Sequence, residues 1–150
     1  MVTGGTISAA DYLQTTFDWR AARAGAARTL TEYDIVLCPA TAIAARPVAE
    51  ADADMDAYTR FNVLYLRNTA IGNILGLTGI SVPCGLTGEG LPVGLMLYAR
   101  PFAEELALRA AHAYQEATRW HLAAPDLGWA GDPGRGSPGL GNPGPGSPGA

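Results

Sequence analysis

The stretch NILGLTGISVPCG, residues 73–85, leads from the end of a helical pattern into a strand and decides the fold of this chain. Its second half, residues 79–84, is a short apolar run that predicts a strand. The glycines of the next segment, TGEG at residues 87–90, can supply positive φ angles and predict a turn. Residues 92–98 predict another strand, so we expect residues 80–84 and 93–98 to pair as antiparallel neighbours.

The sequence before this hairpin predicts two helices and one further strand. Ser8 is an N-cap candidate for a helix over residues 9–31, whose apolar stripe consists of Leu13, Phe17, Ala21, Ala24, Ala27 and Leu30. Residues 35–38 are continuously apolar, which is typical of a central strand buried on both faces. Residues 39–57 hold prolines, alanines and four acids and predict a surface loop, and residues 58–75 predict an interrupted helix.

The C-terminal part is expected to contain one helix and a tail. Proline is favoured at the first helical position, so Pro101 is expected to open the helix. The buried stripe of that helix is expected to contain Leu106, Ala110, Ala113, Ala117 and Trp120. Residues 131–150 repeat a Gly-x-Pro-Gly-x pentad four times and hold almost nothing apolar. We therefore divide the chain into a folded part, residues 1–128, and a flexible, disordered Gly/Pro-rich tail, residues 129–150.

Composition and charge exclude several classes of function. The chain is 48% hydrophobic with a formal charge of -4 and a pI of about 5.0, which argues against nucleic acid and anionic membranes as partners. The N-terminus lacks the basic and apolar regions of a signal peptide, and no apolar run is long enough to span a bilayer. Cys38 and Cys84 lie in apolar segments, which indicates reduced, buried thiols of a cytoplasmic protein.

The residues that could carry chemistry do not form a catalytic set. All 10 basic residues are arginines, so no Ser–Lys pair is possible within this sequence, and no Gly-x-Ser-x-Gly elbow is present. A Cys-dependent hydrolase, with Cys84 as nucleophile and His112 or His121 as base, is disfavoured because Cys84 ends an apolar strand. The histidines, cysteines and acids lack ligand spacing, so no metal, no cofactor and no catalytic residue is expected.

Four segments together resemble one family. YDIVLCPAT, residues 33–41, resembles the YD-apolar-TPTT segment of the amidase signature family. NILGLTGISVPCG is similar to that family's NxxGxPAISVPxG block, and GLPVGL, residues 90–95, is similar to its next motif. Residues 100–104 and 111–114 match the family's final helix. The order and spacing agree over residues 5–125, so the resemblance is much stronger than any single motif.

The resemblance implies a fold and an activity. Family members are α/β/α proteins with a mixed central sheet that hydrolyse C–N amide bonds, and one branch supplies ammonia for tRNA-dependent amidation. They use two serines and a lysine of an N-terminal segment to which nothing in this sequence corresponds. The resemblance thus implies that the chain is the C-terminal portion of an amidase. Its fold is expected to be a partial α/β/α fold, in which helices pack on a few strands of a mixed sheet. The chain is expected to be inactive alone. Thr41 and Asn73 match motif positions and are expected to form a wall of the pocket for a small amide substrate.

Several alternatives remain open. The chain is either one half of a split amidase, whose partner is an N-terminal half, or a non-catalytic binding or scaffold domain that keeps the fold. Strand edges and apolar faces made for absent neighbours predict an unstable or homo-oligomeric isolated chain. Thr41 can also be interpreted as satisfying loop backbone groups, and Asn73 as capping or bridging elements.

Overall fold

The structure, a computed structural model, describes residues 3–125, so the predicted tail at residues 129–150 lies outside the described part. The longer elements follow one another as α1 (Ala9–Thr29), β1 (Val36–Pro39), α2 (Val48–Ala51), α3 (Met55–Leu75), β2 (Thr78–Leu86), β3 (Pro92–Ala99) and α4 (Glu104–Thr118). Short 3-10 turns lie at Thr3–Thr6, Leu30–Glu32 and Trp120–Leu122. Within residues 3–125, no helix is sufficiently long and apolar to traverse a lipid bilayer.

The three strands form one sheet in the order β1-β3-β2, and both pairings are antiparallel. The predicted hairpin is confirmed, with Ile80 opposite Leu97. Its turn is closed by the Thr87 hydroxyl oxygen, which accepts the N–H of Leu91 at 3.1 Å, and by Gly90 at φ 82°. The register shifts between Pro83 and Gly85, where β2 holds one extra residue.

Helices cover both faces of this sheet, which confirms the α/β fold class. On one face, Val82 and Leu97 pack with Ala111 of α4 as the apolar core. On the other face, the Tyr98 hydroxyl donates to the backbone carbonyl of Asn68 in α3 at 3.0 Å. The helix α1 lies outside α3, so the order of layers is α4, sheet, α3 and α1.

Capping explains where the two longest helices begin and where α3 ends. The N–H of Asp11 donates to the Ser8 hydroxyl at 3.1 Å, as expected for the predicted N-cap of α1. Asp54 caps α3 by accepting the N–H of Ala57 at 2.7 Å, and Gly76 ends that helix at φ 71°. The expectation of an interrupted helix is wrong, because α3 is continuous and its internal Gly72 is buried.

Two predicted boundaries are also wrong. Residues 39–57 are not loop throughout, since they contain α2 and the first turn of α3. The last helix begins at Glu104 rather than at Pro101, because Phe102 has a φ of 60° that no helix can continue. Its buried residues are Ala107 and Ala111, whereas Ala113 and Ala117 are exposed.

The first strand and the first helix are more exposed than the sequence predicts. β1 is an edge strand rather than a central one, and Leu37 is 58% exposed. No residue of α1 is buried, and Leu13 and Phe17 of its apolar stripe are each more than half exposed. These apolar residues are typical of buried elements, but the rest of residues 3–125 covers less than half of the Leu13, Phe17 and Leu37 side chains.

Candidate functional site

The candidate site is the loop at residues 40–46, which follows β1 and carries Thr41. The Thr41 side chain is exposed, and its hydroxyl donates to the carbonyl of Ile43 at 2.8 Å. This bond agrees with the interpretation in which Thr41 satisfies a backbone group of its own loop. The hydroxyl oxygen still has acceptor capacity, so a substrate donor can bind there.

The N-terminal end of this loop is held by α3. The Asn68 side-chain amide donates to the backbone carbonyl of Pro39 at 2.8 Å. Asn68 is only 9% exposed, and no other polar or charged residue of residues 3–125 is buried to this degree. Burying an amide is unfavourable unless it is hydrogen-bonded, so the Pro39 carbonyl is what makes this position tolerable for asparagine.

The C-terminal end of the loop is held by the same helix. The backbone N–H of Arg46 donates to the hydroxyl oxygen of Tyr65 at 3.0 Å. The Arg46 guanidinium also binds both carboxylate oxygens of Glu50, through Nε at 3.1 Å and Nη2 at 2.8 Å. These hydrogen bonds and the negative charge of Glu50 raise the pKa of Arg46. The pair is well exposed, so its effect on stability is small.

The residues that hold the loop share one face of α3. Phe61, Tyr65, Asn68 and Gly72 recur at spacings of four, three and four, which places them in one row along the helix. Sequence reasoning pointed to Thr41 and Asn73 but missed Tyr65 and Asn68. Tyr65 lies four residues after the apolar Phe61 and three before Asn68, and this helical spacing would have placed Tyr65 on the same face of α3.

Two cavities flank the Arg46–Glu50 ion pair. One, of about 460 Å³, is lined by Ala45, Pro47, Glu89 and Leu91 as well as the pair. The other, of about 340 Å³, lies between the loop and α3, against Ile43 and Phe61. A cavity of about 470 Å³ lies elsewhere, between α1 and the turns after α3 and β3, and includes none of the predicted site residues.

Asn73, the second predicted wall residue, lies in the last turn of α3, five residues after Asn68. Its side chain is exposed, and its backbone carbonyl accepts from Arg23 Nη2 of α1 at 3.1 Å. Arg23 Nε also donates to the carbonyl of Ile74 at 2.8 Å, and the Trp19 indole N–H donates to the same carbonyl. Among the hydrogen bonds of residues 3–125, none joins Asn73 to Thr41. The structure thus places Asn73 where α1 binds the end of α3.

The thiols and histidines do not form a second site. Burial raises the thiol pKa of both Cys38 and Cys84, and both cysteines are half-buried rather than fully buried. The Cys84 thiol donates to the Val93 carbonyl at 3.5 Å, and His112 and His121 are exposed on α4 and the turn after it. A raised pKa reduces the thiolate fraction and hence nucleophilicity. In the described part of the chain, no three acidic, histidine or cysteine side chains converge as metal ligands.

A known family matches the part of the chain that carries the loop. The family described as Amidase matches residues 3–108, which include the whole loop and its two anchoring residues on α3. The chain belongs to the amidase family. The family that the sequence motifs indicate is thereby confirmed.

Amidase relatives match most of this chain but are much longer. A glutamyl-tRNA(Gln) amidotransferase subunit of Acaryochloris marina is 38% identical over 102 residues, which are 67% of this chain and 20% of the relative. An amidase of Pseudomonas putida is 34% identical over 130 residues, which are 85% of this chain and 28% of the relative. The chain therefore spans a fifth of the length of the first relative and just over a quarter of the second.

Solved amidase-family structures share the fold. A 6-aminohexanoate cyclic dimer hydrolase complexed with substrate superposes with a TM-score of 0.71 at 20% identity, over 82% of this chain and 27% of that protein. The corresponding glutamyl-tRNA(Gln) amidotransferase subunit of Thermotoga maritima superposes with a TM-score of 0.56 at 30% identity, over 71% of this chain and 24% of that protein. These similarities place the sheet and its two covering helix layers within the amidase architecture.

Proposed function

We propose that this chain is the C-terminal part of an amidase-family hydrolase acting on C–N amide bonds, and that it supplies a wall of the substrate cleft. The observation that carries the proposal is the loop at residues 40–46. It lies within the family-matched range, it is held at Pro39 and at Arg46 by α3, and it exposes the Thr41 hydroxyl. The loop thus has the fixed backbone and accessible polar group that a substrate wall needs.

The proposal assigns the bond-breaking chemistry to another segment. The sequence contains no lysine, and Ser8 serves as a helix cap. Ser81 lies on β2 in a shallow cavity lined by Val82, Pro83, Pro92, Val93 and Gly94, none of which is a base. Nucleophilic catalysis by a hydroxyl requires a base that takes its proton, so the chain is expected to be inactive alone.

The proposed partner is an N-terminal amidase half. The relatives named above include a protein whose name describes it as a subunit, which supports assembly with other chains in this family. A homo-oligomer is the alternative, because Leu13 and Phe17 of α1 and Leu37 of β1 are exposed apolar surface. We further propose a cytoplasmic location, a small amide as substrate, and no nucleic acid or membrane as partner.

Complementation tests the proposal. The N-terminal segment of the Pseudomonas putida amidase, expressed as a separate chain, is mixed with this chain, and ammonia release from primary amides is measured. We expect turnover from the mixture and none from either chain alone. The control replaces the catalytic lysine of the added segment with alanine, which should abolish turnover.

Two outcomes would contradict the proposal. Turnover by this chain alone, at high purity, would place the chemistry within its 150 residues. Stable binding of the N-terminal segment without any turnover would favour the non-catalytic binding or scaffold domain.

A further inference from the structure

The structure assigns to Asn68 and Tyr65 the role of positioning residues, which hold the loop at residues 40–46 in its substrate-binding conformation. The inference rests on the proposed function, because it takes that loop as a wall of the amide cleft. Neither side chain is expected to touch the reacting atoms. Each acts through the backbone of the loop that carries Thr41.

The two hydrogen bonds lie at the two ends of the loop. Asn68 binds the carbonyl of Pro39, the last residue of β1, at 2.8 Å. Tyr65 binds the N–H of Arg46 at 3.0 Å, immediately before α2. The two side chains are three residues apart and lie on neighbouring turns of one helix face. The distance between the loop ends is therefore set by α3 and not by the loop sequence.

The helix that holds the loop is itself fixed on two sides. The Tyr98 hydroxyl of β3 donates to the Asn68 carbonyl at 3.0 Å, so one residue binds both the loop and the central strand. On the opposite side, Arg23 of α1 binds the carbonyl of Ile74 at 2.8 Å. A loop attached at both ends to so fixed a helix has lost much of its conformational freedom before a substrate arrives. Such preorganisation strengthens binding, because less entropy remains to be lost.

The chemical nature of the two residues supports this role. Leucine has the same branching and number of side-chain heavy atoms as asparagine and carries no polar group that must be satisfied, so packing alone does not favour asparagine there. Tyr65 packs near the ring of Phe61, with centroids 6.5 Å apart, and phenylalanine would serve that contact equally well. Packing requires neither the side-chain amide of Asn68 nor the hydroxyl of Tyr65, and these are the groups that bind the loop.

A first test measures residue-resolved hydrogen exchange in the full chain. Tyr65→Phe removes the partner of the Arg46 amide, which is expected to exchange roughly fivefold faster, since one neutral hydrogen bond contributes about 1 kcal/mol. Asn68→Leu is expected to speed exchange of the Ala40 amide, which donates to the Gly94 carbonyl at the end of β1 at 2.8 Å. The amide of Ala111, in the opposite layer, is expected to keep its rate.

Matched control variants lie on the same helix. Tyr58→Phe and Asn62→Leu make the same chemical changes at exposed positions of α3 and should leave the loop amides unchanged. Equal acceleration at Ala111 would indicate a general loss of stability and would overturn the inference. Unchanged exchange at Arg46 and Ala40 would also overturn it. Tyr65→Phe keeps the test decisive if Asn68→Leu does not fold.

A second test uses the complemented amidase. Because the proposal assigns the reactive groups to the other segment, Asn68→Leu and Tyr65→Phe are expected to raise KM for the amide roughly fivefold and to change kcat less than twofold. An active mixture whose KM is unaffected by either variant would overturn the positioning role and leave the proposed function intact. An inactive wild-type mixture would contradict the proposed function, and the exchange rates would then decide the positioning role by themselves.

Discussion

The hydroxyl of Tyr98 donates to the backbone carbonyl of Asn68 at 3.0 Å and joins the central strand to α3. The same asparagine binds the end of β1 through its side chain, so one residue connects three elements of the fold. Burial raises the pKa of Tyr98, so its hydroxyl keeps the proton that it donates throughout the neutral pH range. The bond belongs to the folded framework and remains intact under ordinary conditions.

Tyr98→Phe is expected to destabilise the chain by about 1–2 kcal/mol, because the buried Asn68 carbonyl loses a donor while the ring packing is kept. The measurement is the midpoint of urea unfolding followed by circular dichroism. Tyr33→Phe is the control, since Tyr33 is 55% exposed and its substitution should leave the midpoint unchanged. Equal midpoints for wild type and Tyr98→Phe would show that the hydrogen bond from Tyr98 to Asn68 contributes nothing to the free energy of unfolding.

Gly72→Ala and Gly25→Ala are expected to change stability in opposite directions. At Gly72 a Cβ atom would collide with the Tyr98 ring, so alanine should cost about 1–3 kcal/mol in spite of its better helix propensity. At Gly25 in α1, the nearest atom to a Cβ is Arg28 Nη2 at 3.9 Å, which is an ordinary contact. There alanine should stabilise by about 0.4–1 kcal/mol. The same urea measurement decides both, and stabilisation by Gly72→Ala would contradict the packing described here.

The hairpin and the approximate positions of α1, α3 and α4 could be predicted from the sequence because they depend on local signals, whereas α2 was missed. Gly90 supplies the positive φ of the turn, Ser8 caps α1, and the apolar runs on either side of the turn pair as strands. The layer that carries the loop could not be predicted in this way. Gly72 and Asn68 look like helix-breaking residues until the Tyr98 ring and the Pro39 carbonyl are seen against them.

The degree of burial could not be predicted either, for a different physical reason. The apolar content of β1 and α1 is typical of buried elements. A sequence pattern indicates which surface is to be buried, but not whether the same chain or another one covers it. In the chain itself, Leu37 and Phe17 are more than half exposed. Of the candidate site, the motif position predicts Thr41 as a wall residue, whereas the anchoring by Tyr65 depends on contacts between residues 19 positions apart.

The two thiols are expected to react slowly with alkylating reagents. Since burial raises the pKa of Cys38 and Cys84, each has less thiolate at neutral pH than a free cysteine. The rate of iodoacetamide modification should therefore be low near pH 7 and should still be rising above about pH 9. Mass spectrometry of a pH series measures it, and Cys38→Ala assigns the remaining signal to Cys84.

Alkylation also tests the alternative of a Cys-dependent hydrolase. If Cys84 were the nucleophile, modification would abolish amide turnover in any active preparation. We expect the complemented enzyme to keep its activity after Cys84 is alkylated. Loss of activity in proportion to the modification of Cys84, with Cys38 already replaced, would contradict the assignment of the chemistry to another segment.

The isolated chain is expected to self-associate through its exposed apolar surface. Phe17 of α1 is 57% exposed, and its apolar ring should gain free energy on leaving water at a contact with another copy or with an amidase partner. Phe17→Gln should therefore shift the size-exclusion elution toward the monomer, while Thr15→Gln, at a polar exposed position of the same helix, should not. Because α1 has no buried residue, neither change should disturb the core of the folded chain. A wild-type chain that elutes as a monomer at every concentration and melts in one sharp transition at high temperature would contradict this expectation. It would mean that the exposed faces of α1 and β1 need no neighbour, which would also weaken the case for an N-terminal partner.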